Sequence, residues 1–125
     1  MTLLLDSHAL LWALHSPEKL APAAREAIQD GQNPVFYSAA SIWELSLKAS
    51  KGLLEIKGDL LQAIEALHFV ELPIRASHAW AVQSLPPVHA DPFDRILVAQ
   101  AITEKLTLVT RDQFLEQYQV PILTA

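Results

Sequence analysis

The sequence predicts an α/β fold, a three-layer α/β/α sandwich in which helices flank a central parallel sheet. Three observations carry that expectation. Short apolar runs such as Leu3-Leu4-Leu5 and Leu106–Thr110 have the character of strands buried on both faces. Helical patterns separate one such run from the next along the whole chain. Finally, 125 residues that are 51% hydrophobic and only 18% charged suffice for one substantial core and exclude a disordered chain.

The elements follow in order. Leu3–Leu5 reads as the first strand and His8–Leu14 as the first helix. After the Ser16-Pro17-Glu18 break, Pro22–Asp30 is helical and stops at Gly31. Val35–Ser38 carries the β-branched and aromatic residues that suit a pleated surface. Ala40 to about Ser50 is helical, with Gly52 as its stop. Asp59–Leu67 is a helix capped by Asp59, and Phe69–Leu72 is a short strand. Ala76–Ser84 is a helix that ends before Pro86-Pro87. Asp91-Pro92 opens a helix that runs through Lys105. Leu106–Thr110 is a strand, Gln113–Tyr118 a short helix and Val120–Leu123 a last strand. With three glycines and no repeat or linker, residues 1–125 read as a single domain.

Composition narrows the function classes. No apolar run approaches the roughly 20 residues of a membrane helix. A secretory leader is not expected, because the start lacks a basic segment and Asp6 interrupts the apolar stretch. The absence of cysteine excludes disulfides and thiolate metal sites and makes a cytoplasmic protein the default. A net charge of −5 weighs against a general nucleic-acid coat. Neutralising a cluster of acids with a cation would remove most of that charge.

Four acids stand at or near junctions between an apolar run and a helical pattern, and each has an alternative local role. Asp6 ends the first strand, where its carboxylate suits either a helix N-cap or a ligand site. Ser7 beside it could serve as the cap instead. Glu44 precedes Lys48 by one helical turn, so the two form either an exposed ion pair or a site pair; Lys48 is also placed to reach a phosphate. Asp91 fits an N-cap, with Pro92 at the first helical position. Asp94 heads a stripe formed with Leu97, Val98 and Ala101, where a lone charge is costly unless paired or metal-bound. It is therefore the better site candidate of the two. Asp112 follows the Leu106–Thr110 strand as either a cap or a site residue. Arg111 next to it is either solvated or available to a phosphate.

Asp6, Glu44, Asp94 and Asp112 can all be placed near the C-terminal edge of one parallel sheet, where α/β folds bind ligands. Clustered carboxylates repel one another, and a hard divalent cation relieves that repulsion, so the set makes most sense as a Mg2+ or Mn2+ site. Other chemistries lack their residues. There is no glycine-rich phosphate loop, no nucleophile elbow, and no His-x-x-x-His pair among His8, His15, His68, His78 and His89. The histidines read as structural. Trp12, Trp43 and Trp80 read as core, with Trp80 also a candidate for a partner surface.

Taken together, the motifs resemble those of a known family. Leu3–Trp12 resembles the opening of PIN-domain ribonucleases, especially VapC-type toxins of toxin–antitoxin pairs. Ser38–Leu45 is similar to their second motif, His89–Ala101 to their third, and Leu108–Asp112 to their fourth. The match runs from about residue 3 to residue 123, in the family's order. The resemblance implies a sheet of about five parallel strands and one or two Mg2+ or Mn2+ ions. It also implies hydrolysis of RNA phosphodiesters and neutralisation by a cognate antitoxin protein. Carried over residue by residue, Asp6, Glu44 and Asp94 are the core metal-binding acids and Asp112 the fourth. Ser7 stands where the pattern more often has threonine.

The expected activity is thus that of a metal-dependent endoribonuclease, with Ser7, Lys48 and Arg111 in support and Asp91 as a helix cap. Two other readings fit the same acids: a catalytically silent protein-binding module, and a Mg2+-dependent phosphatase of small molecules. His8 stands where such a phosphatase usually has a second aspartate, which counts against the latter. The high apolar content also predicts a partner surface around Leu53, Leu54, Trp12 or Trp80, suited to a homodimer or an antitoxin segment.

Overall fold

The computed structural model describes residues 1–88 and 90–125. Five strands form one sheet: β1 (Leu3–Leu5), β2 (Val35–Ser38), β3 (Val70–Leu72), β4 (Thr107–Thr110) and β5 (Ile122–Thr124). The helices are α1 (Ser7–His15), α2 (Pro22–Gln29), α3 (Ala39–Ser50), α4 (Leu60–Ala66), α5 (Ala76–Ala81) and α6 (Pro92–Glu104). The spatial order is β3-β2-β1-β4-β5, and every neighbouring pair is parallel. This is the α/β/α architecture that the alternating pattern predicts.

The order fixes where a site can form. From β1 the chain builds outward through β2 to β3, then returns to add β4 on the other side of β1. Connections therefore leave the C-terminal ends of β1 and β4 in opposite directions, opening the crevice that ligands use in such sheets. Register brings those ends level, with Leu5 opposite Val109, and the Asp6 amide donates to the Val109 carbonyl at 3.1 Å.

The period-2 alternation of β1 divides the core in two. Leu3 and Leu5 pack with Leu10, Leu20, Ala24, Leu45 and Ile64 on one face of the sheet. Leu4 packs with Leu97, Val98, Ala101, Leu108 and Leu115 on the other. All three leucines are fully buried, as expected for the central strand of a parallel sheet.

Element types agree with expectation, while several boundaries move. The last strand begins at Ile122 rather than Val120, because Pro121 has no amide to donate; its carbonyl instead accepts from Leu108. The helix expected over Ala76–Ser84 is α-helical only to Ala81 and tightens to a 3-10 turn over Val82–Ser84. Gln113–Tyr118 is likewise a 3-10 helix. Gly52 follows α3 at φ +70°, a conformation that costs glycine little. His89, the first residue of the third motif, lies outside the described residues.

The tryptophan expectation is corrected. Trp43 is 60% exposed and Trp80 75% exposed. On α3 the buried residues are Ala40, Ser41 and Leu45, and Trp43 lies two positions from Ser41 and Leu45, which turns it to the opposite side. On α5 only His78 is buried, and Trp80 stands two positions beyond it for the same reason. Trp12 does pack against the core. Of the four proposed surface residues, Leu53 and Trp80 are exposed, whereas Leu54 and Trp12 are half-buried against the core.

Candidate active site

The end of β1 leads directly into α1, and Asp6 sits at the junction with 8% exposure. Its Oδ1 accepts the Ala9 amide at 2.8 Å, so the cap role is real. That role uses one carboxylate oxygen. Burial pushes the Asp6 carboxyl above its ordinary range. The nearby Glu44 charge adds to the rise, while the Thr110 side chain, the Ala9 amide and His8 oppose it. Capping and a charged site are thus combined in one residue.

Ser7, buried at the first position of α1, donates its hydroxyl to Glu44 Oε1. The Glu44 side chain is only 13% exposed, and Lys48 Nζ stands 3.5 Å from its other oxygen. The expected Glu44–Lys48 pair exists, and its carboxylate also meets Ser7 at the start of α1. On α6, Asp91 caps the helix by accepting the Phe93 amide at 2.9 Å, as the sequence predicts. Asp94 is half-buried in the first turn, and Leu97, Val98 and Ala101 below it are fully buried. Asp112 caps the 3-10 helix after β4 through the Phe114 amide at 3.0 Å, and its own amide donates to Thr110 Oγ1 at 3.1 Å.

These residues converge. A cavity of about 360 Å³ is lined by Asp6, Glu44, Asp91, Asp94 and Asp112, together with Ser7, His8, Lys48 and Arg111. A larger cavity of about 660 Å³ lies at the opposite edge, by the N-terminal ends of β2 and β3 at Val35 and Val70. Its lining is mainly apolar, so size does not mark the chemistry here.

Two cavity residues differ from their expected roles. His8, expected as a structural histidine, is exposed and stands in the cavity wall. Asp91, expected as a cap alone, is both cap and wall. Position alone signals them, since His8 follows Asp6-Ser7 and Asp91 precedes Asp94 by one turn. Arg111 differs from expectation in another way. Its Nε and Nη2 donate to the Ala125 carbonyl at 3.0 Å, Nη2 also donates to the Lys19 carbonyl at 2.7 Å, and the guanidinium lies 4.3 Å over the Trp12 ring. These contacts brace the cavity wall.

The donor chemistry fits a hard divalent cation: five carboxylates, one of them buried, share a cavity with a single lysine and a committed arginine. Among the described residues, however, no group of three or more His, Cys, Asp or Glu side chains is arranged to hold one ion. Asp6, Asp91 and Asp112 each give one oxygen to a helix cap, and Glu44 is held by Ser7 and Lys48.

The family model of the PIN domain matches residues 3–120. The chain belongs to the PIN-domain family. Within it, Ribonuclease VapC22 of Mycobacterium tuberculosis is 32% identical over 123 residues, covering 96% of this chain and 94% of that protein. Two solved structures share the fold. VapBC2 from Rickettsia felis, bound to a promoter DNA fragment, superposes with a TM-score of 0.73 at 14% identity, covering 98% of each chain. DNA-bound VapBC from Salmonella typhimurium gives 0.74 at 16% identity, covering 98% of this chain and 97% of that one. In this PIN domain the four acids expected from the motifs reach one cavity from four separate segments. No described helix is long and apolar enough to cross a membrane.

Proposed function

We propose that this PIN domain is an endoribonuclease toxin that hydrolyses RNA phosphodiesters with Mg2+ or Mn2+, and that a cognate antitoxin protein neutralises it. The observation that carries the reading is the convergence of Asp6, Glu44, Asp94 and Asp112 on one cavity at the switch point of the sheet. The 32% identity to Ribonuclease VapC22 supports RNA as the substrate, and the VapBC assemblies among the fold relatives support an antitoxin partner.

Asp6, Asp94 and Glu44 would hold the cation directly or through waters, with Asp112 holding a second ion or orienting water. When bound, the cation lowers the pKa of a coordinated water and offsets charge on the phosphate and leaving oxygen. Ser7 and Lys48 fix the Glu44 carboxylate from both sides, which presents it in one orientation. The anionic cavity binds a phosphate poorly by itself, so cation and substrate are expected to bind together. No serine or cysteine nucleophile is required.

The test is cleavage of RNA by purified protein in Mn2+. Asp6→Asn or Asp94→Asn should lower the rate by a factor of roughly 100 or more. Undiminished Mn2+-dependent cleavage in either variant would overturn the assignment. Growth arrest on expression, relieved by a co-expressed antitoxin and absent in Asp6→Ala, tests the toxin role.

A further inference from the structure

Two helices of the cavity, α3 and α6, carry an aromatic ring beside their acid. Trp43 immediately precedes Glu44 on α3, and Phe93 immediately precedes Asp94 on α6. The two rings meet across the helices, with centroids 5.1 Å apart and planes at 73°. That edge-to-face contact holds the indole in place while 60% of Trp43 stays open to solvent. The ring pair thus bridges α3 and α6, the two helices that bring Glu44 and Asp94 into the cavity wall.

Charge makes such a ring useful. The chain carries a net charge of −5. The cavity wall holds two cations, Lys48, which stands 3.5 Å from Glu44, and Arg111, which gives three of its N–H donors to the Ala125 and Lys19 carbonyls. Phosphate contacts from lysine and arginine, the usual source of affinity for nucleic acid, are limited here to two residues set against five carboxylates. Stacking of bases on aromatic faces supplies affinity without net positive charge, and only unpaired bases offer a free face.

We propose that Trp43, held by Phe93, is a base-stacking platform that positions an unpaired nucleotide next to the scissile phosphate. The proposal rests on the ribonuclease reading for the identity of the ligand. Trp80, equally open but on α5, which contributes nothing to the cavity wall, is the internal control.

The experiment compares cleavage of a single-stranded oligoribonucleotide by wild type, Trp43→Ala, Trp43→Phe, Trp43→Leu and Trp80→Ala. Loss of one stacked base should raise KM about tenfold in Trp43→Ala with kcat within a factor of about three. Trp43→Phe and Trp80→Ala should remain near wild type, and Trp43→Leu should behave like the alanine variant. An unchanged KM in Trp43→Ala overturns the platform. So does recovery by leucine, or a parallel change in molar mass by light scattering, because either outcome assigns Trp43 to a protein interface. Should wild type cleave no RNA, the ribonuclease reading fails separately. The platform is then read by indole fluorescence in Asp94→Asn titrated with the same oligonucleotide. Quenching that disappears with the added Trp43→Phe change supports it, and equal quenching in both proteins overturns it.

Discussion

The Ser7 hydroxyl donates to Glu44 Oε1 across 37 positions of the chain, tying the start of α1 to the middle of α3. It joins the residue after one cavity acid to another cavity acid, so the first two acidic motifs are coupled by a single proton donor. A hydrogen bond to a charged acceptor contributes about 1.5–3 kcal/mol, toward the lower end when partly solvated. Ser7→Ala should therefore lose about 1.5 kcal/mol of stability in urea denaturation and about tenfold in RNA cleavage, as Glu44 loses its fixed orientation. Ser7→Thr, which keeps the hydroxyl, should retain both. Full activity in Ser7→Ala would reduce Ser7 to packing.

Asp6 combines a helix cap with a buried charge, and pH separates the two. Burial raises its folded pKa above the ordinary value of 3.8, so the folded state holds the proton more tightly than the unfolded chain. Stability from this group is thus greatest below that value and is lost as pH rises through the raised pKa. At neutral pH without divalent cation, Asp6→Asn should melt a few degrees higher than wild type, because asparagine caps as well as aspartate and carries no charge. Asp6→Ala should be about 1 kcal/mol less stable than Asp6→Asn, having lost the cap. A lower melting temperature in Asp6→Asn would show that the charge is already compensated.

Divalent cation should supply the missing compensation. Binding only to the folded state adds about 2.7 kcal/mol at 100 times Kd, so Mn2+ titration should raise the melting temperature of wild type in differential scanning fluorimetry. Asp94→Asn should show a much smaller shift. A flat response in wild type would favour the reading of the acids as caps alone.

Asp91 and Asp94 lie one turn apart in the same cavity wall and offer a direct contrast. Asp91→Asn preserves the N-cap and should keep cleavage within about threefold of wild type. Asp94→Asn should lose roughly 100-fold or more while unfolding at similar urea concentrations. Equal losses in both variants would promote Asp91 from cap to ligand.

Much of this was legible along the chain. Caps are local, so Asp59, Asp91 and Asp112 could be read from the few residues that follow each of them. The Asp94 stripe was legible as well, because Leu97, Val98 and Ala101 repeat at helical spacing and are buried together. Trp43 departs from its core expectation for a related reason, and Trp80 takes the surface alternative. Hydrophobicity says that a tryptophan prefers burial, but which helix face meets the sheet depends on the other residues of the helix. Arg111 was beyond any local reading, since one of its acceptors, Lys19, is 92 positions away.

The alternation of strands and helices, the caps, and the carboxylates at or near strand-to-helix junctions follow from the order of residues, because period and local hydrogen bonding are short-range. That those carboxylates share one cavity, that Ser7 meets Glu44, and that Trp43 faces solvent beside Phe93 follow from long-range packing. Strand order β3-β2-β1-β4-β5 places the ends of β1 and β4 side by side, and that order is selected by packing of both sheet faces across the whole chain. Asp6 could be recognised as an acid at the mouth of a strand; its burial, and the charge penalty that a cation would relieve, come from the neighbours that the fold brings to it.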